Sequence, residues 1–265
     1  MPGLSAHDGV DAMGGELLAD PVAEARQLIA HAAEQGLVMR ALGGVAVFLQ
    51  SGDGQPRLVR SVKDIDLAVA KGSGKAASRV LQQASYVSDE MFNALRGSRR
   101  LLYHDPRNRR HVDVFVGEFA MCHDLPLTAR LDRDPLTVPR EELLLSKLQV
   151  VELTGNDQLD IYNLLYHHEV GEDAGAGIAS PFIAALCARD WGLWRTCQLN
   201  LGRSLDNLGG SGLDPGEQRT VADRLERLRG RIDAEPKSRR WRIRNQVGDK
   251  VRWYAEPEQE QPGGE

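Results

Sequence analysis

Residues 60–69 read Arg-Ser-Val-Lys-Asp-Ile-Asp-Leu-Ala-Val, and their two-residue alternation commits the segment to a strand with one acidic and one apolar face. Asp64 and Asp66 project from one side and Ile65, Leu67 and Val69 from the other, because side chains alternate across a strand. The two aspartate Cα atoms then lie about 7 Å apart. Unpaired anions on one strand face repel each other and add nothing to a core. A divalent cation between them removes that cost, and Mg2+ suits carboxylate oxygens at a phosphate-handling site. A Gly43-Gly44 pair interrupts an apolar run sixteen residues before this segment.

The rest of the composition narrows the setting. A chain of 265 residues can hold one large domain or two modest ones. Its net charge of -5 excludes a global basic field, so any contact with nucleic acid has to be a local patch. Cys122, Cys187 and Cys197 are too few and too badly spaced for a disulfide framework or a zinc site, which points to a reducing compartment. His104, His111 and His123 have no metal-ligand spacing either. No basic stretch followed by an apolar run opens the chain, and no segment approaches about 18 uninterrupted apolar residues. The expectation is a cytoplasmic protein without a membrane span.

The periodicity predicts an α/β fold: a small mixed sheet flanked by helices, then a mostly helical C-terminal half. Disorder is expected over 1–18, a first domain over 19–170, a linker over 171–180, helices over 181–254 and a disordered tail over 255–265. Asp20, Pro21 and Gly36 cap, open and end a first helix. Residues 99–103 and 110–116 read as a hairpin whose turn contains Asp105-Pro106 and Asn108. In its second strand Val112, Val114 and Val116 share one face and Asp113 takes the other. Beside the first acidic strand, this hairpin brings Asp113 near Asp64 and Asp66. From Pro139 the period turns helical, with Leu144, Lys147, Leu148 and Val151 on one face and Gly155 as the stop. Another helix follows over 157–170.

A glycine pair, Asp-x-Asp on a strand and a third aspartate on a later strand are the ordered parts of a two-metal nucleotidyl-transfer site. Two ions about 3.5–4 Å apart can stabilise both the attacking and the leaving oxygens. Gly43-Gly44, Asp64-Ile65-Asp66-Leu67 and Asp113 resemble the polymerase-beta-like nucleotidyltransferase superfamily. Lys147, followed by Asn156-Asp157-Gln158-Leu159-Asp160-Ile161, is similar to the third and fourth motifs of the AbiEii-type nucleotidyltransferases, toxins of abortive-infection and toxin–antitoxin systems. The likeness covers about 38–170. It implies that Asp64, Asp66 and Asp113 ligate Mg2+, with Asp113 as third ligand or base. Gly43 and Gly44 would cradle phosphate, Lys147 would neutralise a nucleoside triphosphate, and Asp160 would position the nucleotide or Lys147. It also implies RNA, including tRNA, as acceptor and an antitoxin as partner. Val62 and Asn156 depart from the family pattern.

Plainer readings compete at each position. Asp64 and Asp66 could be the solvated face of an edge strand, paired with Arg60 and Lys63, and Asp113 could pair with Arg110. Asp157 suits an N-cap and Asp160 the capping position that follows it. Two basic regions could hold a polyanion. Arg96, Arg99, Arg100, Arg107, Arg109 and Arg110 at the hairpin are the better candidates, because they adjoin the carboxylates. Near the C-terminus, Lys237, Arg239, Arg240, Arg242, Arg244, Lys250 and Arg252 interleave with Trp241, Trp253 and Tyr254. There the favoured expectation is a packed helix with an apolar stripe of Ile243, Val247, Val251 and Tyr254. For the whole chain, a small-molecule (aminoglycoside-type) nucleotidyltransferase and a non-catalytic nucleotide-binding module are the alternatives.

Overall fold

The computed structural model describes residues 17–52, 55–173, 175 and 177–256. Most of the expected N-terminal and C-terminal tails therefore lies outside the described residues. Leu17 is buried, and Ala255 is hydrogen-bonded to the first half of the chain through Cys122.

The fold is mixed α/β with a helical C-terminal half. Five strands form one sheet in the order β1 (Met39–Leu42), β2 (Ile65–Val69), β5 (Arg110–Val116), β4 (Arg100–Asp105) and β3 (Val87–Ser88). β2 and β5 run parallel and the other pairs antiparallel. The parallel register pairs Ile65 with Val112, Leu67 with Val114 and Val69 with Val116, which makes one side of the sheet continuous aliphatic surface. Helices α1 (Pro21–Glu34) and α3 (Gly74–Gln83) pack on the sheet and on each other. Asp20 and Pro21 open α1 as the sequence predicts. The hairpin forms with Asp105 accepting the Arg107 and Asn108 N–H groups across its turn. Two elements have too little periodicity to be legible: α4 (Glu90–Arg96) and the short hairpin of β6 (Glu118–Ala120) and β7 (Asp124–Pro126).

The crossing into the helical half starts at the sheet edge. The Ala41 N–H donates to Leu136 O and the Val138 N–H to Ala41 O, so residues 136–138 dock along β1. That contact delivers α5 (Arg140–Leu148) and α6 (Gly155–His167) onto α2 (Gly43–Gln50). Helices α7 (Ser180–Arg189), α8 (Trp191–Asn207) and α9 (Pro215–Ala234) pack behind them, and one buried apolar cluster runs from Leu17 to Ile232. The segment expected as a linker carries a two-residue parallel pairing, β8 (Val170–Gly171) with β9 (Ile178–Ala179).

Two sequence expectations are corrected. Gly155 does not stop a helix; it opens α6, where the Thr154 and Asp157 side chains form a reciprocal capping box. A hydroxyl at Thr154 does what was expected of Asp157, and Asp160 is left on the inner face. The C-terminal stripe does not pack: Ile243, Val247 and Val251 are exposed and Trp241 is the buried residue of α10 (Arg239–Val247). Gly248 at φ +58° ends that helix, so a 3.6-residue period carried past Val247 has no physical meaning.

Candidate active site

β2 sets the site. Its parallel pairing puts Asp66 directly beside Asp113, with both side chains on the face opposite the aliphatic one. Asp64 lies just before the strand, exposed, and its Oδ1 accepts the His111 N–H at 3.1 Å. Burial pushes the Asp66 carboxyl up to about 7; neighbouring Asp113 and Asp64 add to the rise, while Lys147 and Arg100 oppose it. Asp113 and Asp64 thus both act on Asp66.

The glycine pair has a specific geometric role. Antiparallel pairing sets Leu42 opposite Asp66, so Gly43 at the start of α2 falls against the Asp66 side chain. Gly43 has φ +63°, and a Cβ there would collide with Asp66 Oδ2; a Cβ on Gly44 would collide with Arg60 Nη2. No side chain caps this helix end and no acid occupies its first turn. Its N-terminal N–H groups and positive dipole end suit an anion.

Behind the carboxylates lies a second layer of charge. Asp160, fully buried, accepts Arg60 Nε and Nη2, both at 2.7 Å, and Lys147 Nζ at 2.9 Å. Lys147 also reaches Asp157 Oδ1 at 3.2 Å. Burial works against both cations, yet the anions outweigh it and both pKa values are raised. Lys147 does face inward from its helix, but Asp160 and Asp157 supply the anion that the sequence reading assigned to a triphosphate. Arg60 pairs with Asp160 rather than with the acidic strand. Asp113 pairs with Arg100, whose Nε donates to Oδ1 at 2.6 Å, whereas Arg110 pairs with Asp105.

The sequence reading placed Arg100 among the hairpin arginines beside the site and Arg60 beside the acidic strand, but missed their partners, Asp113 and Asp160. The first pairing could have been found, because Leu102 is the cross-strand partner of Asp113 and Arg100, two residues away, is its diagonal neighbour on the same face. Arg60 lies outside any regular element, so no periodicity marks it.

Among the described residues no group of three or more His, Cys, Asp or Glu side chains is gathered tightly enough to hold a metal ion. Asp64 is held by the His111 amide and Asp113 by Arg100. In chemistry the donors nevertheless fit Mg2+: they are all oxygens, and the Asp66 carboxyl is destabilised as an anion by two like neighbours. Asp64, Asp66, Asp113, Asp157 and Asp160 face Arg60, Arg100 and Lys147, leaving an excess of negative charge that a divalent ion matches.

In comparisons with known proteins, no family model matches this chain and no curated sequence matches it. Among the described residues, no helix is long and apolar enough to cross a membrane.

Proposed function

We propose that this chain is an Mg2+-dependent nucleotidyltransferase that moves a nucleoside monophosphate from an NTP to an acceptor hydroxyl, with RNA such as tRNA as acceptor. The observation that carries the reading is the side-by-side placement of Asp66 and Asp113, with Asp64 just before the strand, against an uncapped helix N-terminus opened by two glycines. In the reaction the acceptor oxygen bonds to the α-phosphorus, the bond to pyrophosphate breaks, and the hydroxyl proton passes to a carboxylate. We assign that role to Asp113, on the strand beside Asp66, with Arg100 orienting its carboxylate. Gly43 and Gly44 let the start of α2 approach phosphate oxygens without a Cβ in the way. Asp160 fixes Arg60 and Lys147 behind the carboxylates, where Asp160 and Asp157 balance their charge, and Arg60 lies against Gly44 at the start of α2. Asp64, Asp66 and Asp113 would have to draw together to hold Mg2+, which would then supply charge neutralisation of the nucleotide.

An RNA acceptor is favoured over a small cationic acceptor by the rim. Lys63, Arg107 and Arg109 are exposed close to Asp64 in the chain or at the hairpin turn, and make no ion pair among the described residues. Basic side chains of this kind suit a phosphate backbone. The toxin role and its antitoxin partner rest on the AbiEii-type motifs alone, and growth arrest on expression tests them. For the chemistry, the protein is incubated with Mg2+, each α-labelled NTP and total RNA or an aminoglycoside. Label is expected in RNA with release of pyrophosphate; label only in the aminoglycoside, or in neither acceptor, contradicts the proposal.

A further inference from the structure

All four tryptophans of the chain meet at one place far along the sequence from the carboxylates. Trp191 lies 6.0 Å from Trp194 and 6.1 Å from Trp253, and Trp194 lies 5.0 Å from Trp241, measured between ring centroids. Beside them opens a cavity of about 480 Å³ walled by Arg189, Arg240, Arg244, Arg252, Trp253 and Tyr254, among others. That volume falls within the range of about 300–1,000 Å³ usual for small-ligand sites.

The arginines there divide into two kinds. Arg244 is structural: its Nη1 and Nη2 donate to Gly248 O and Val251 O at 2.7 Å each, and its guanidinium lies over Trp191. Arg252 lies over Tyr254 and pairs with Glu256. Arg189 and Arg240 are exposed and have no ion pair among the described residues. The acid in the wall, Asp190, already accepts the Leu193 N–H as the N-cap of α8. Trp253 and Tyr254 are only half-buried, so their rings are not consumed by the core.

The cavity is also tied to the candidate site. Past Gly248 the chain turns back as a strap: Trp253 Nε1 donates to Thr196 Oγ1 at 3.0 Å, and the Ala255 N–H donates to Cys122 O at 3.0 Å. Ala255 lines this cavity and a second one of about 320 Å³, whose wall includes Arg96, Arg99 and Arg100. Arg100 is the residue that pairs with Asp113. The strap thus joins the aromatic cavity to the wall of the carboxylate site.

We propose that the aromatic cavity binds a nucleoside phosphate unit, its base stacked on Trp253 or Tyr254 and its phosphate on Arg189 and Arg240, as an anchor for a single-stranded nucleic acid. Planar rings and arginines together are the means by which proteins hold unstacked bases without reading their sequence. The binding stands independently of catalysis; the anchor's service to an acceptor strand rests on the transferase reading.

Because every tryptophan lies at this site, their emission reports its occupancy. The full chain is titrated with a six-nucleotide RNA, with AMP and with inorganic triphosphate across a range of salt. Saturable quenching by RNA, weaker by AMP and weaker still by inorganic triphosphate, is expected. The Arg189→Glu/Arg240→Glu variant should bind RNA about tenfold or more weakly, with the salt slope reduced by about one to two units. Both residues are exposed, and circular dichroism verifies that the variant is folded. AMP quenching as tight as that of RNA assigns the site to a free nucleotide and overturns the anchor. No quenching by either, equal quenching by inorganic triphosphate, or unchanged affinity in the double variant overturns the site itself. Asp66→Asn keeps the quenching, so a failure of transfer chemistry and a failure of this site give different results.

Discussion

Asp66 and Asp113 stand side by side across the parallel ladder of β2 and β5, and burial together with this neighbour lifts the Asp66 carboxyl to about 7. Two like charges side by side destabilise the fold unless something of opposite sign joins them. At pH 8 Mg2+ should therefore raise the melting temperature, with a gain of about 2.7 kcal/mol at a hundredfold excess over its Kd. Asp66→Asn and Asp113→Asn should lose this response. Without metal, Asp66→Asn should be the more stable protein by about 1–3 kcal/mol. An Mg2+ response that survives both substitutions would place the ion elsewhere.

Gly43 and Gly36 allow a matched comparison. Both have positive φ, at +63° and +73°, but nothing lies within 4 Å of a Cβ on Gly36, whereas one on Gly43 meets Asp66. Gly36→Ala should cost about 1–2 kcal/mol of stability, the conformational penalty alone. Gly43→Ala carries that penalty and also displaces Asp66, so it should cost more stability and abolish transfer. Equal losses in the two variants, by chemical denaturation, would mean that Gly43 matters only for its backbone angle.

Asp157 and Asp160 separate a cap from a buried ion pair. Asp157→Ala removes half of a capping box and the longer of the two ion pairs of Lys147, which keeps Asp160, and should cost about 1–2 kcal/mol. Asp160→Ala leaves Arg60 and Lys147 buried without their shared anion and should cost about 3–5 kcal/mol. Denaturant midpoints compare them directly, and similar costs would contradict the arrangement.

Glu142 gives a pH dependence away from the site. Burial, against the opposing charge of Arg130, raises its carboxyl from 4.5 to about 7. Between those values the folded protein holds a proton that the unfolded chain has released. The contribution is fully present below pH 4.5 and is lost as pH rises toward 7. Glu142→Gln removes the dependence, so its stability relative to the parent should grow by about 1–3 kcal/mol from pH 4.5 to 7. A difference that stays flat with pH would refute the shift.

The strand alternation at 64–69 and the valine alternation at 112–116 were legible because a two-residue period has one structural meaning. Their mutual register was not: the aliphatic faces fix which side of the sheet Asp66 and Asp113 share, but a slip of two residues would keep those faces and part the two carboxylates. The positions of Arg60, Lys147 and Asp160 depend on how α5 and α6 dock on α2, through residues 136–138 at the sheet edge, and no local pattern encodes that. The C-terminal stripe misled because Gly248 breaks the helix that the spacing assumed. The tryptophan cluster gathers residues from 191 to 253, a convergence visible only in three dimensions.

The most direct measurement is label transfer from α-labelled NTP to RNA, run side by side for the parent chain and for Asp64→Asn, Asp66→Asn and Asp113→Asn. Three carboxylates acting as one unit predict transfer by the parent and a loss of about a hundredfold or more in every variant. A parent protein that transfers nothing, or a single variant that transfers at the parental rate, contradicts the account.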